Sequence, residues 1–282
     1  MNMPNVDDII KRALNEDAAF SDATTLSVIA PQCKANARII AKQPGIVCGL
    51  SVAAKAFKAL DPRVVTSIKV KDGSRIKAGN VLALISGPAR AIISGERTAL
   101  NFLQHLSGIA TLTRRFVDLV KGTGVKIYDT RKTIPGLRSL AKYAVKCGGG
   151  VNYRMNLADM AMLKDNHVSL MGGGLGIRAS VGAIRKKYPK LKIIVECDNL
   201  IQLRSALDAR ADTVMLDNML PAQIRKAVDI VRTRKNKRPL IEVSGGITIT
   251  NVRKYALKGI DYISVGAITH SAPALDISLD IN

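Results

Sequence analysis

Ile193-Ile194-Val195-Glu196, Thr213-Val214-Met215-Leu216-Asp217 and Leu240-Ile241-Glu242-Val243-Ser244 are short apolar runs. Each ends on a polar residue, and an amphipathic stretch follows each. The pattern extends both ways along the chain. Val125-Lys126-Ile127-Tyr128-Asp129 and Ala161-Met162-Leu163-Lys164 precede these runs, and Tyr262-Ile263-Ser264-Val265-Gly266 follows them. Short apolar runs alternating with helical stretches read as parallel strands joined by crossover helices. In a β/α barrel the C-terminal ends of all strands open onto one face, and that face carries the chemistry. Residues as far apart as Asp129 and Gly266 are therefore expected to meet in one pocket, which makes the chain an enzyme.

The part before residue 108 has a different texture. Asp7–Leu14 reads as a short helix, Ala35–Ala41 as a strand turned by Pro44-Gly45, and Leu50–Leu60 as a helix ending before Pro62. Val64–Val70 and Val81–Ile85 read as strands separated by turns at Asp72-Gly73 and Ala78-Gly79-Asn80. Residues 1–107 are thus an α+β sandwich domain and 108–270 an α/β barrel. Ser94–Val120 has apolar residues at i, i+3 and i+4 and reads as a long helix bridging the domains, with a break near Ser107-Gly108.

The composition, 47% apolar and 23% charged over 282 residues, is that of a folded protein. No apolar stretch is long enough to span a bilayer. The start, with Asp7 and Asp8, lacks the basic and apolar segments of a secretory signal, so a cytoplasmic protein is expected. Cys33, Cys48, Cys147 and Cys197 show no paired spacing and read as reduced, buried thiols. The net charge of +21 favours anionic partners. Nucleic acid is one such partner, but aromatics are only 4%, Trp is absent and no nucleic-acid motif appears. The basic run Arg232–Arg238 reads as a solvated loop.

Four constellations carry chemistry. Asp129-Thr130-Arg131-Lys132 sets two cations after a strand end, suited to carboxylate or phosphate, although a solvated loop would look similar. Gly148-Gly149-Gly150-Val151-Asn152-Tyr153-Arg154 joins a flexible backbone to a cation, and Lys164 closes the next strand. Gly172-Gly173-Gly174, by contrast, reads as a plain loop. Glu196 and Asp217 each end a strand and could hold Mg²⁺, directly or through water, or stabilise a cationic transition state. Ser244-Gly245-Gly246 and Val265-Gly266-Ala267 follow the last two strands, where barrels bind phosphate. Thr248 or Thr250 could cap the helix after the first of these loops. Of the three histidines only His270 has a site-like position; His105 and His167 read as packing residues. The residues alone point to a doubly anionic substrate, at least one phosphate, and Mg²⁺. A Schiff-base aldolase using Lys164 or Lys132 and a basic nucleic-acid binder are the competing readings.

Together these segments resemble the quinolinate phosphoribosyltransferase family, also called nicotinate-nucleotide pyrophosphorylase (carboxylating). The matching stretches are Gly95-Glu96-Arg97-Thr98-Ala99-Leu100-Asn101, Leu106–Thr111, Asp129–Thr133, Pro135–Arg138, Lys142–Val145, Gly148–Asn152, Lys164-Asp165-Asn166-His167, Leu216-Asp217-Asn218, Ser244-Gly245-Gly246 and Val265–Ser271. The resemblance runs from Glu16-Asp17 to Leu279. It implies a sandwich domain plus an incomplete, TIM-like barrel, with 271–282 returning to the sandwich. The implied reaction joins quinolinate and phosphoribosyl pyrophosphate to give nicotinate mononucleotide, pyrophosphate and CO₂, a step of NAD biosynthesis. A same-fold phosphoribosyltransferase acting on another acid is the alternative.

The resemblance also assigns roles. Arg131, Arg154 and Lys164 would bind the quinolinate carboxylates, and Thr130 and Tyr153 are counted among the substrate-binding residues. Arg97 would come from the partner of a homodimer or larger oligomer. Lys132 would touch both substrates. Glu196 and Asp217 would hold the ribose hydroxyls and Mg²⁺, and these two with Lys132 form the catalytic set. Ser244, Gly245, Gly246, Gly266 and Ala267 would take the 5′-phosphate, with His270 nearby. Two positions depart from the family pattern. Asn152-Tyr153-Arg154 stands where Asn-His-Arg is usual, and Tyr153 can donate a hydrogen bond but is not a cation at neutral pH. Ser21-Asp22-Ala23-Thr24-Thr25 stands where Gly-Asp-x-Thr-Thr is usual.

Overall fold

A computed structural model describes residues 6–172, 174–234 and 238–281. Lys235, Asn236 and Lys237 of the basic run, and Gly173 of the second glycine triplet, lie outside the described residues. The chain forms two compact units. One comprises Met1–Arg114, Thr133–Gly150 and Ile268–Asn282; the other comprises Arg115–Lys132 and Val151–Ala267.

The first unit contains β1 (Lys34–Ala41), β2 (Gly45–Ile46), β3 (Val65–Ile68), β4 (Arg75–Ile76) and β5 (Val81–Pro88). β5 lies between β1 and β3 and is antiparallel to both, while β2 and β4 form a separate small ribbon. Along β1, Ala37, Ile39 and Ala41 are buried and their neighbours are not, the period-two signature of a sheet with one packed face. Helix Val6–Glu16 buries Val6, Ile9, Ile10 and Leu14 at helical spacing and packs on helix Leu50–Leu60.

Ala89–Val120 is one continuous helix of 32 residues, so the expected break at Ser107-Gly108 does not occur. Both residues instead permit close packing. A Cβ on Gly108 would stand 2.1 Å from the Pro273 carbonyl oxygen. The Ser107 hydroxyl accepts from the Cys48 N–H (2.9 Å) and donates to the Cys48 carbonyl (3.2 Å). Small residues here mark a backbone crossing rather than a helix end.

The second unit is built on β6 (Lys126–Tyr128), β7 (Ala161–Leu163), β8 (Ile193–Cys197), β9 (Thr213–Asp217), β10 (Leu240–Ser244) and β11 (Tyr262–Ser264). All pairings are parallel, in the order β6-β11-β10-β9-β8-β7. The last strand thus pairs back with the first, and the sheet curls. A single parallel bridge joins Tyr128 to Val151, and β6 and β7 do not pair, which leaves the barrel incomplete. Helix Pro221–Arg232 shows how the sequence writes the crossovers. Proline occupies its first turn, and Ile224, Ala227, Val228 and Val231 form the buried stripe. The final strand, β12 (Ile277–Ile281), pairs antiparallel with β1. Among the described residues no helix is long and apolar enough to cross a membrane.

Cys48 and Cys197 are buried thiols as expected, but Cys147 is half-buried and Cys33 exposed.

Candidate active site

Register partners in a parallel sheet face the same side, so the pairings decide which residues line the barrel. One face carries Tyr128, Tyr262, Ser264, Glu242, Ser244, Met215, Asp217, Glu196 and Met162. Lys164, two residues beyond Met162, continues that face past the end of β7. The other face carries Ile127, Ile263, Ile241, Val243, Val214, Leu216, Ile193, Val195 and Leu163, all buried. Polar side chains therefore cluster on the inner face toward the strand ends, with Met162, Ile194 and Met215 on the same face, and the outward face is apolar.

At the strand ends the acidic groups converge. Glu196, Asp198 and Asp217 each bring a carboxylate oxygen within 4.8 Å of the others. Burial and then the Asp217 charge push the Glu196 carboxyl up to about 7, against the pull of Lys164. Asp217 is also raised, chiefly by burial, while a hydrogen bond from Ser244 and the charge of Lys132 lower it. Asp198 was missed by reading runs that stop at the first polar residue. The alternation Glu196-x-Asp198 was the available signal, since it carries the same face one step further.

The cations lie in the same unit. Arg154 is buried to 7% exposure. Its guanidinium donates to the Met160 carbonyl (3.2 Å) and lies 3.2 Å from Met162 Sδ. Burial lowers its pKa, and the neighbouring Arg131 charge adds to that effect. A buried guanidinium of this kind suits an anion, whose charge and acceptor oxygens would match its fork. Lys132 is exposed, and its N–H donates to the Thr130 hydroxyl (3.1 Å). Lys164 is exposed, and its N–H donates to His167 Nδ1 (3.1 Å), so His167 holds the start of helix Asp165–Leu170.

Tyr153 is tied to the barrel interior. Its hydroxyl donates to Glu242 Oε2 at 2.7 Å. Glu242 is fully buried, and its other oxygen accepts from the Ser264 hydroxyl. Burial lifts its carboxyl to about 7, and the hydroxyls of Ser264, Tyr153 and Tyr262 restrain that rise. Sequence reasoning passed over Glu242 because it lies inside an apolar run. Its parity with Ser244 was the signal that it faces inward.

After β10, Gly245 (φ +90°) and Gly246 (φ +59°) are left-handed. A Cβ on Gly245 would lie 2.2 Å from Asn218 Oδ1, so the loop is closed to any side chain there. Asn218 returns its N–H to the Ser244 carbonyl (3.0 Å) and its amide to Asp217 Oδ2 (2.6 Å), which ties the acidic and glycine loops together. Neither Thr248 nor Thr250 caps the next helix. Their hydroxyls bond each other (2.9 Å), and Asn251 accepts from the Thr248 N–H. Gly266 and Ala267 follow β11. Arg97, exposed on helix Ala89–Val120, and His270, whose Nδ1 lies 2.6 Å from Ser271 Oγ, belong to the first unit.

A parallel β/α barrel with a buried guanidinium, a carboxylate trio and left-handed glycines at its strand ends belongs to the class of enzymes that handle phosphorylated, polyanionic substrates. Known proteins narrow the class. The sequence profile of the quinolinate phosphoribosyl transferase N-terminal domain matches residues 22–107, and that of the C-terminal domain matches residues 109–280. The chain belongs to the quinolinate phosphoribosyltransferase family. It is 41% identical over 281 residues to nicotinate-nucleotide pyrophosphorylase [carboxylating] of Mycobacterium leprae, covering 97% of this chain and 96% of that one. It is 41% identical over 276 residues to the probable enzyme of the same name from Bacillus subtilis, covering 96% and 93%. The structure of NadC from Streptococcus pyogenes superposes with a TM-score of 0.93 at 37% identity, over 100% of this chain and 98% of that one.

Proposed function

We propose that the protein transfers the phosphoribosyl group of phosphoribosyl pyrophosphate to the ring nitrogen of quinolinate, with loss of CO₂, giving nicotinate mononucleotide and pyrophosphate in NAD biosynthesis. The buried Arg154 carries this reading, because its guanidinium, set against the lumen-facing Met162 and feeling the Arg131 charge, offers the planar fork that a carboxylate of the acid pairs with. Lys164 adds a third positive charge on the lumen face. In this reading Thr130 and Lys132 lie between the two substrates, and Ser244, Gly245, Gly246, Gly266 and Ala267 receive the 5′-phosphate, with His270 nearby. Arg97, exposed on its helix, completes the site of a neighbouring subunit in a homodimer or larger assembly.

The ring nitrogen attacks C1′ as pyrophosphate departs, through a state with positive charge on the ribose. Glu196 and Asp217 stabilise that charge and accept from the ribose hydroxyls. The C2 carboxylate then leaves as CO₂, the electron pair stays on C2 where the adjacent positive ring nitrogen stabilises it, and C2 takes up a proton from solvent to give the mononucleotide. Arg131 and Arg154 hold the acid in place, and the barrel excludes water from the departing carboxylate. Hard oxygen donors crowded into mutual repulsion suit Mg²⁺, so Glu196, Asp217 and Asp198 would hold it. When bound, the ion neutralises charge on the pyrophosphate.

Incubation with quinolinate, phosphoribosyl pyrophosphate and Mg²⁺ should release CO₂ and form the mononucleotide in equal amounts. Absence of both products overturns the reading. One observation favours a second reading, a phosphoribosyltransferase for another acid: Tyr153 adds no positive charge. A monocarboxylate such as nicotinate turned over faster than quinolinate would establish it.

A further inference from the structure

Tyr153 is anchored at both ends. Its backbone N–H donates to Oδ1 of the fully buried Asp129 at 2.7 Å, and its hydroxyl donates to Glu242 at 2.7 Å, with the Tyr262 hydroxyl 3.3 Å away. Its ring stands edge-on to Tyr128 and Tyr262, with centroids 5.6 and 5.7 Å apart, and those two rings stack at 4.2 Å. The next residue is Arg154, which is 7% exposed and whose guanidinium donates to the Met160 carbonyl at 3.2 Å. Such a guanidinium needs a fixed backbone, since a small shift would break its bond to the Met160 carbonyl and leave a buried cation unsatisfied. Reaching a substrate carboxylate would take the Tyr153 hydroxyl off Glu242 and leave a fully buried carboxylate short of a donor, a costly exchange.

Resting on the phosphoribosyl-transfer reading, we propose that Tyr153 is a positioning residue. It aims Arg154 through its bond to Glu242 and makes no contact with the substrate acid. Tyrosine at this position thereby serves the site from behind.

The test is a double-mutant cycle on the full-length protein, read by steady-state kinetics and by calorimetric binding of quinolinate. Tyr153→Phe keeps the ring and its aromatic contacts. It should raise the KM and Kd for quinolinate about tenfold, the value of one buried hydrogen bond, while kcat and the KM for phosphoribosyl pyrophosphate stay within about twofold. Glu242→Gln should do the same, and the double variant should be no worse than the worse single one. Additive effects would mean that the hydroxyl acts on the substrate directly, and the inference would fall. It would fall equally if Tyr153→Phe left quinolinate binding unchanged, or lowered kcat alone. Should Tyr153→Phe not fold, Ser264→Ala removes the donor on the other Glu242 oxygen. The same KM rise is then expected, and an unchanged KM overturns the proposal. If the unmodified protein turns over no quinolinate, the functional reading fails and this inference with it. Turnover with additive effects sinks the inference alone.

Discussion

Glu196 and Glu242 face the same lumen, and both carboxyls are lifted to about 7, but they differ in surroundings. Glu196 stands at a strand end among Asp217, Asp198 and Lys164, open to a substrate or a cation. Glu242 shares the register row of Met215 with Glu196 but is sealed among hydroxyls. Glu196→Ala should therefore lower kcat by about 100-fold, as for other lost electrostatic stabilisers, with the melting temperature nearly unchanged. A kcat within a few-fold of the parent would remove it from the chemistry. Gly245→Ala introduces a Cβ where Asn218 Oδ1 and the Asn218 backbone N already lie, at a backbone angle that side chains avoid. It should raise the KM for phosphoribosyl pyrophosphate about tenfold or more, the value of a charge-assisted hydrogen bond, and quinolinate binding measured alone should not change. At this scale the strand-terminal residues Lys164, Glu196, Asp217 and Ser244 were legible, because each interrupts an apolar run. Glu242 and Asp198 were not, since their roles depend on which face of the strand they share with their neighbours.

Elements were read closely where apolar spacing had no competitor. Leu50–Leu60 was expected as a helix with those bounds and is one. Ser107-Gly108 misled, because a glycine reads locally as weak helix, whereas here it answers a distant backbone. Gly108→Ala improves helix propensity yet places a methyl group 2.1 Å from the Pro273 carbonyl oxygen. The substitution should destabilise the protein by about 1–3 kcal/mol through overpacking, read from denaturant melts. A stabilised variant would show that the helix, not the crossing, governs this position. The same logic explains Thr248 and Thr250. Their sequence suits a cap, but Asn251 had already closed the turn.

For the molecule as a whole, the buried Glu242 makes folding depend on pH. Its folded value of about 7 lies above the ordinary 4.5, so the folded protein holds a proton that the unfolded chain loses between those values. Its contribution is fully present below the ordinary value and is lost as pH rises towards 7. Glu242→Gln should remove this dependence. Relative to the parent, its melting temperature should gain more at pH 8 than at pH 5, and parallel curves would mean that Glu242 is not the titrating group. Shared sites are tested at this scale too. Arg97→Ala mixed with Lys164→Ala should recover activity through hybrid dimers if Arg97 serves a neighbouring subunit, and no recovery on subunit exchange would count against that arrangement.

Alternation of apolar and amphipathic segments, the strand-terminal charges and the family motifs were determined by the sequence alone. They depend on local periodicity and on residue type, which the chain carries wherever it folds. Tertiary contacts decided the rest: that Glu242 and Tyr153 meet, that Asp198 joins Glu196 and Asp217, and that Gly108 lies against Pro273. Those contacts arise between segments far apart in the chain, where the curled sheet and the backbone crossing at the helix bring atoms together that no local pattern connects.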